Sequence, residues 1–191
     1  MAVRVVIAED EAIIRLDLKE ILQEEGYEVV GETGRGDEAV DLVRTLAPDL
    51  AILDIKMPGM DGLAVAREIA AERRAAVLIL TAFSQRNLIE EARGAGAMGY
   101  LVKPFQTSEL IPAIEVALGR FQEIRALEKE NRSLEDQLET RRVVDRAKGL
   151  LMDTHHLSEG DAFRFIQQTA MRERLTMRAV AKRVLDGDIV P

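Results

Sequence analysis

Along the first 120 residues, short apolar blocks alternate with longer stretches in which apolar residues recur every three or four positions. Val3-Arg4-Val5-Val6-Ile7-Ala8 is a β-branched run ending in Glu9-Asp10-Glu11, which predicts a strand. A helix follows with Ile13, Ile14, Leu18, Ile21 and Leu22 on one face, and Gly26 stops it. Tyr27-Glu28-Val29-Val30 is a second strand and residues 37–46 a second helix. Leu50-Ala51-Ile52-Leu53, between Pro48 and Pro58-Gly59, is four apolar residues in a row and reads as a strand buried on both faces. Leu63, Ala66, Ile69 and Ala70 mark the next helix; 76–80 is a strand ending at Thr81; 85–93 is a short helix bounded by Gly94 and Gly96. Residues 99–102 form the last strand, ending at Lys103-Pro104. Strict alternation at this spacing predicts an α/β domain with a doubly wound, five-stranded parallel sheet.

From Thr107 the pattern changes. Thr107 is a candidate N-cap, and Pro112 about one turn on either bends the helix or marks its true start. Apart from Gly119, no breaker follows until Gly149. Ile124, Leu127, Asn131, Leu134 and Leu138 follow the spacing of a coiled-coil seam, with Asn at an a position and charges around it. Two readings stay open: a short coiled coil joining two copies, or one amphipathic helix lying on its own chain. Val143, Ala147, Leu150 and Leu151 continue the apolar period. After a His155-His156 turn, Ser158-Glu159-Gly160-Asp161 reads as a capping box opening a helix that buries Ala162, Ile166, Thr169 and Ala170. Thr176 caps a third helix, with Met177, Val180, Ala181, Val184 and Leu185 inward and Asp186-Gly187 at its end. These make a small three-helix bundle. The adjacent histidines point to different sides of their turn and have no third ligand nearby, so no metal site is expected there. The expected division is 1–120, a helical connector over 121–140, and 141–191.

Charge supports that division. Residues 1–140 hold 16 Lys and Arg against 27 Asp and Glu, whereas residues 141–191 hold 10 against 7, a mildly basic tail on an acidic body. No cysteine is present among the 191 residues, which excludes disulfides and thiolate metal sites. The N-terminus reaches Glu9-Asp10 too soon for a signal peptide, and no apolar run approaches a membrane span. A cytoplasmic protein without membrane contact is expected.

In a parallel sheet the C-terminal strand ends lie along one edge, where ligands bind. Here those ends present Glu9 and Asp10, then Asp54, then Thr81, then Lys103. Asp54 alone would pass for a solvated turn aspartate; five such residues at successive strand ends are hard to dismiss as ordinary loop starts. Clustered acids repel one another unless a hard cation sits among them, and oxygen-only ligands suit Mg²⁺. The chemistry implied is phosphoryl transfer to the Asp54 carboxylate, with Lys103 and Thr81 contacting phosphoryl oxygens. Lys56, two residues on, excludes a haloacid-type phosphatase, which needs an acid there.

Glu9-Asp10, Leu53-Asp54-Ile55-Lys56-Met57-Pro58-Gly59-Met60-Asp61-Gly62, Leu80-Thr81-Ala82 and Lys103-Pro104-Phe105 resemble the receiver domain of bacterial two-component response regulators. The resemblance implies a flavodoxin-like strand order 2-1-3-4-5 and Asp54 as phosphoacceptor for a sensor histidine kinase. It also implies metal held by Asp10, Asp54 and the Lys56 carbonyl, with Glu9 acting through water. It further implies a cis peptide before Pro104, and Thr81 and Tyr100 as residues that move on phosphorylation. Glu9 stands where Asp is commoner; Lys56 and Phe83 occupy positions that tune phosphoryl lifetime. Catalysis would be confined to gain and loss of the chain's own phosphoryl group, so an enzyme in the ordinary sense is not expected.

On the tail, Arg142, Arg146 and Gly149 fall on one helix face, Arg164 and Arg172 are outward on the next helix, and Arg178, Lys182 and Arg183 lie on the third. Phe165 falls off its apolar stripe. A helical Gly costs about 1 kcal/mol against Ala, so Gly149 needs a reason: close approach of a ligand, or close helix packing. Basic side chains with an occasional aromatic suit phosphate contact and base stacking; a merely solvated basic face is the alternative. Ala147-Lys148-Gly149-Leu150-Leu151-Met152, Ala162-Phe163, Ala170-Met171 and Val180-Ala181 with Val184 resemble an ANTAR domain over about 140–186. That resemblance implies binding of stem-loops in leader RNA and transcription antitermination, with these basic residues, Lys148, Gly149 and Phe165 as candidate contacts. Rival readings are a DNA-binding regulator, which lacks the short Gly-containing turn of a helix-turn-helix here, and a protein-interaction relay without nucleic acid.

Overall fold

The computed structural model describes residues 2–82 and 86–191; Phe83 and Gln85 lie outside the described residues. Two compact units are present, Met1–Ala126 and Leu127–Pro191.

In the first unit, β1 (Arg4–Ala8), β2 (Glu28–Thr33), β3 (Leu50–Asp54), β4 (Ala76–Thr81) and β5 (Gly99–Val102) form one parallel sheet in the order β2-β1-β3-β4-β5. The helices α1 (Ala12–Glu24), α2 (Gly36–Leu46), α3 (Gly62–Glu72) and α4 (Arg86–Gly94) connect the strands, and α5 (Thr107–His155) follows β5. β3 lies in the middle, with all five residues buried. Because successive side chains point to opposite faces, its apolar run serves two cores. Ala51 and Leu53 join Val6, Val77 and Ile79 against α2 and α3. Leu50 and Ile52 join Val5, Ile7 and Leu78 against α1 and the start of α5, through Leu18, Leu22, Leu110, Ile114 and Phe121.

Local departures have local reasons. Ile13 does not share the inner face of α1: it is 85% exposed, whereas Leu18 and Leu22 are fully buried. Five residues of helix separate Ile13 from Leu18 by about 140° of rotation, too far for one stripe. β2 runs on to Thr33 because Glu32 and Thr33 pair with Ile7 and Ala8, and an edge strand tolerates polar side chains. The cap of α5 is Gln106 rather than Thr107: the Glu109 carboxylate accepts from the Gln106 N–H at 3.0 Å, as in a capping box. Pro112 lies inside α5, near its start, and the helix continues past it and past Gly149.

The second unit packs the end of α5, α6 (Glu159–Glu173) and α7 (Met177–Leu185) around Val143, Val144, Ala147, Leu151, Ala162, Ile166, Val180, Ala181 and Val184. The expected inner face of α6 is the buried one; on α7 Val180, Ala181 and Val184 are buried, and Met177 and Leu185 pack half-buried against them. Ser158 and Thr176 cap these helices by accepting from the Asp161 and Ala179 N–H groups, both at 3.2 Å. The first helix of this bundle is the end of the 49-residue α5, not a separate segment.

Candidate functional site

The C-terminal ends of β1, β3, β4 and the β5–α5 turn bring Glu9, Asp10, Asp54, Thr81 and Lys103 to one sheet edge. Register places Ala8 beside Leu53 and Asp54 beside Leu80, so Glu9 and Thr81 each follow a residue paired with or next to the Asp54 end. The Glu9 N–H donates to the Thr33 carbonyl at 3.0 Å, and Arg15 donates to the Glu9 carbonyl at 2.5 Å. Arg15 was not legible as a site residue in the sequence; its position one helical turn after Glu11 was the only signal. The Lys103 N–H donates to the Thr81 carbonyl at 2.8 Å, and the following Lys103–Pro104 peptide is cis. Thr81 is buried and Tyr100 is 44% exposed. Gly62, first in α3, is demanded sterically: a Cβ there would meet the Asp54 carbonyl oxygen at 1.9 Å.

Lys103 Nζ lies 2.6 Å from Glu9 Oε2 and 3.3 Å from Asp54 Oδ1, with all three side chains nearly enclosed. Burial pushes both carboxyls above the usual range, Glu9 further through the neighbouring Asp54 charge, while Lys103 pulls both back. Burial alone would lower the Lys103 ammonium, but Glu9 and Asp54 together hold it above its ordinary value. Lys103 therefore stays a cation between two reluctant anions.

One carboxylate oxygen each from Glu9, Asp10 and Asp54 lie within 4.8 Å of one another. Glu9 Oε2 is buried and, despite its ion-pair contact with Lys103, accepts no well-directed hydrogen bond among the described residues. An oxygen-only donor set with an under-used buried oxygen and the exposed Asp10 at its mouth fits a hard divalent cation. Lys56 is exposed on the loop after β3.

The tail candidates divide by what already holds them. Lys148 Nζ is 2.9 Å from both Asp145 and Glu159, tying α5 to the start of α6, and is mostly covered. Arg164 pairs with Asp161 at 2.6 Å, Arg172 with Glu173 at 3.6 Å, Arg183 with Glu173 at 2.7 Å and Arg178 with Asp136 at 2.5 Å. Arg142, Arg146 and Lys182 are exposed, and among the described residues their side chains make no ion pair or hydrogen bond. Phe165 does not fall off the apolar stripe as expected: it is half-buried and packs on the bundle core, because its position borders the apolar face of α6. The exposed aromatic of α6 is Phe163, 40% accessible and read in the sequence only as part of a motif. At Gly149 a Cβ would meet nothing within 4 Å, so close helix packing does not account for this glycine.

Comparison with known proteins bears on both units. Residues 5–115 match the response regulator receiver domain and residues 132–185 the ANTAR domain. Over 183 residues, 96% of this chain and 89% of its relative, the sequence is 60% identical to Transcriptional regulatory protein PdtaR of Mycobacterium tuberculosis. Chemotaxis protein CheY of Thermotoga maritima is 40% identical over 60% of this chain and 96% of its own length. Among solved structures, the receiver domain of a NarL response regulator from Mycobacterium tuberculosis superimposes with a TM-score of 0.59 at 32% identity, covering 62% of this chain and 97% of that one. A CheX–CheY–BeF₃–Mg²⁺ complex from Borrelia burgdorferi has a TM-score of 0.56 at 25% identity, covering 59% of this chain and 86% of that one.

Proposed function

The chain belongs to the response regulators of two-component systems, a receiver domain joined to an ANTAR domain, and on that premise we propose that phosphorylation of Asp54 by a sensor histidine kinase controls binding of the ANTAR unit to hairpin RNA, and through it transcription antitermination. The observation that carries the reading is the enclosed Asp54–Lys103–Glu9 cluster with Asp10 at its mouth.

An Asp54 oxygen attacks the phosphorus of the kinase phosphohistidine in line; the O–P bond forms as the N–P bond breaks, and the electron pair returns to the imidazole. Lys103, anchored through its N–H on Thr81, offers an ammonium to the phosphoryl oxygens, and the Thr81 hydroxyl is the neighbouring candidate donor. Glu9, Asp10, Asp54 and the Lys56 carbonyl would hold Mg²⁺, which when bound neutralises charge on the phosphoryl oxygens. Support for that cation comes from the donor set, and from the Mg²⁺ carried by the Borrelia CheY complex. Hydrolysis would return the aspartate, so turnover is limited to the chain's own phosphoryl group. Movement of Thr81 and Tyr100 would report the phosphorylated state. On the second unit, Arg142, Arg146 and Lys182 carry the uncommitted charge for phosphate contact.

The test treats wild type and Asp54→Asn with a small-molecule phosphodonor and Mg²⁺, then compares retention of hairpin RNA and duplex DNA on filters. Wild type is expected to form an acyl phosphate and retain hairpin RNA in a phosphorylation-dependent way; Asp54→Asn should form none. Full labelling of the mutant would remove Asp54 from the mechanism. Preferential retention of duplex DNA, or of no nucleic acid, would overturn the RNA reading.

A further inference from the structure

Residues 33–37, at the junction of β2 and α2, supply none of the candidate cation ligands, yet they touch two of the segments that do. On one side the Glu9 N–H donates to the Thr33 carbonyl at 3.0 Å, and a Cβ at Gly34 would lie 3.6 Å from the Asp10 Cα. On the other side the Gly36 N–H donates at 3.1 Å to the Pro58 carbonyl, in the β3–α3 loop that carries Lys56. The junction is itself tied down. Its buried Thr33 hydroxyl accepts from the Arg35 N–H at 3.1 Å and donates to the Glu38 carboxylate at 2.5 Å.

Glycine at two places lets the junction and the loop meet this closely. Gly36 opens α2 and is not left-handed, so alanine could adopt its backbone conformation. What alanine could not do is fit, because a Cβ there would overlap the Met60 carbonyl oxygen. Gly59 is left-handed at φ 83°, and its Cβ would overlap the carboxylate of Asp37, which Arg35 holds at 2.7 Å. The loop is also pinned on both sides of Lys56. The Ile55 carbonyl accepts from the Gly62 N–H at 2.8 Å, and the Pro58 carbonyl accepts from Gly36 and Met60, both at 3.1 Å. Fixed carbonyls before and after Lys56 restrict how its own carbonyl can turn.

We propose that the β2–α2 junction is a brace for the cation site, with Thr33 and Gly36 as positioning residues that set the spacing between Glu9-Asp10 and the Lys56 carbonyl. The inference rests on the reading of Glu9, Asp10, Asp54 and Lys56 as a Mg²⁺ site. The ion's own chemistry makes that spacing matter. Mg²⁺ demands near-octahedral oxygen ligands at about 2.0–2.1 Å, whereas Ca²⁺ accepts them at about 2.3–2.6 Å in a looser arrangement. A displaced carbonyl therefore weakens Mg²⁺ more than Ca²⁺, while a deleted ligand weakens both.

The test titrates the full chain and its Asp10→Ala, Gly36→Ala, Thr33→Val and Thr33→Ser variants with Mg²⁺ and with Ca²⁺ by calorimetry, and melts each without either ion. Asp10→Ala should weaken both ions. Gly36→Ala and Thr33→Val should each weaken Mg²⁺ about tenfold or more, as loss of an outer support does, and Ca²⁺ much less. Thr33→Ser keeps the hydroxyl and should restore the wild-type ratio of the two affinities. Lost stability by itself, read from the melts, gives no reason for Mg²⁺ to suffer more than Ca²⁺. Should Gly36→Ala fold poorly, Thr33→Val carries the same measurement with a side chain close in shape to threonine. If Asp10→Ala weakens both ions while Gly36→Ala and Thr33→Val keep the wild-type ratio, the brace is overturned and the cation site stands. If the wild type takes up no Mg²⁺, or Asp10→Ala binds it equally well, the cation site falls and the brace with it.

Discussion

Asp10 is the exposed member of an otherwise buried acidic trio, so its removal separates cation affinity from folding. Asp10→Ala is expected to weaken Mg²⁺ binding tenfold or more, on the order of what losing even an outer contact costs. Thermal unfolding without Mg²⁺ should stay unchanged or improve slightly, because one mutual repulsion is gone. Titration calorimetry showing wild-type affinity would remove Asp10 from the cation site. At the other end of the sheet, Tyr27 donates its hydroxyl to Glu115 on α5 at 2.7 Å. Burial and that carboxylate push the phenol from an ordinary 10 up to about 12. The folded state thus prefers the protonated phenol: its contribution is complete below the unfolded value and is lost as pH rises from about 10 to about 12. A late phenolate absorbance step, absent in Tyr27→Phe, is the expected sign. The same variant should lose less stability than wild type across that window. An unchanged titration curve in the variant would contradict the assignment.

At the scale of the element, α5 contains a glycine that its own packing does not require. Since a Cβ at Gly149 meets nothing, Gly149→Ala should raise stability by up to about 1 kcal/mol through helix propensity alone. If RNA backbone approaches here, the same methyl should weaken hairpin binding. Denaturant melts and RNA titrations of this one variant are expected to move in opposite directions. Gain in stability with unchanged RNA affinity would place the contact elsewhere on the unit.

For the molecule as a whole, the acidic receiver and the basic tail make the proposed RNA contact a question of which cations remain available. Arg146→Ala and Lys182→Ala should each reduce the slope of log affinity against log salt by roughly 0.7 to 1, as counterion release requires, and weaken all hairpins alike. Lys148→Ala and Arg178→Ala remove cations already held by Asp145, Glu159 and Asp136. These two should lower stability slightly and leave the slope nearly unchanged. Affinity-against-salt lines of equal slope and height for wild type, Arg146→Ala and Lys182→Ala would mean that this face is merely solvated.

Chain order, strand–helix alternation and the identity of the sheet-edge residues were legible in sequence because they follow from local rules. A strand buried on both faces must be continuously apolar, and parallel strands must end along one edge, so Asp54, Glu9, Asp10, Thr81 and Lys103 could be named together. The inner faces of α6 and α7 were legible for the same reason, since one stripe per helix is a local pattern. Tertiary structure decided what depends on partners distant in sequence. Only it could put Phe165 on the core and leave Phe163 in solvent, because the core that Phe165 meets includes Val143, Ala147 and Val180 from the neighbouring helices. Which of the eight basic candidates for RNA contact keep an uncommitted charge was likewise undecidable from composition, because Asp136 and Arg178 meet across 42 positions of chain. A pattern tells which face a residue occupies; the charge it still has to offer depends on what the fold has placed beside it.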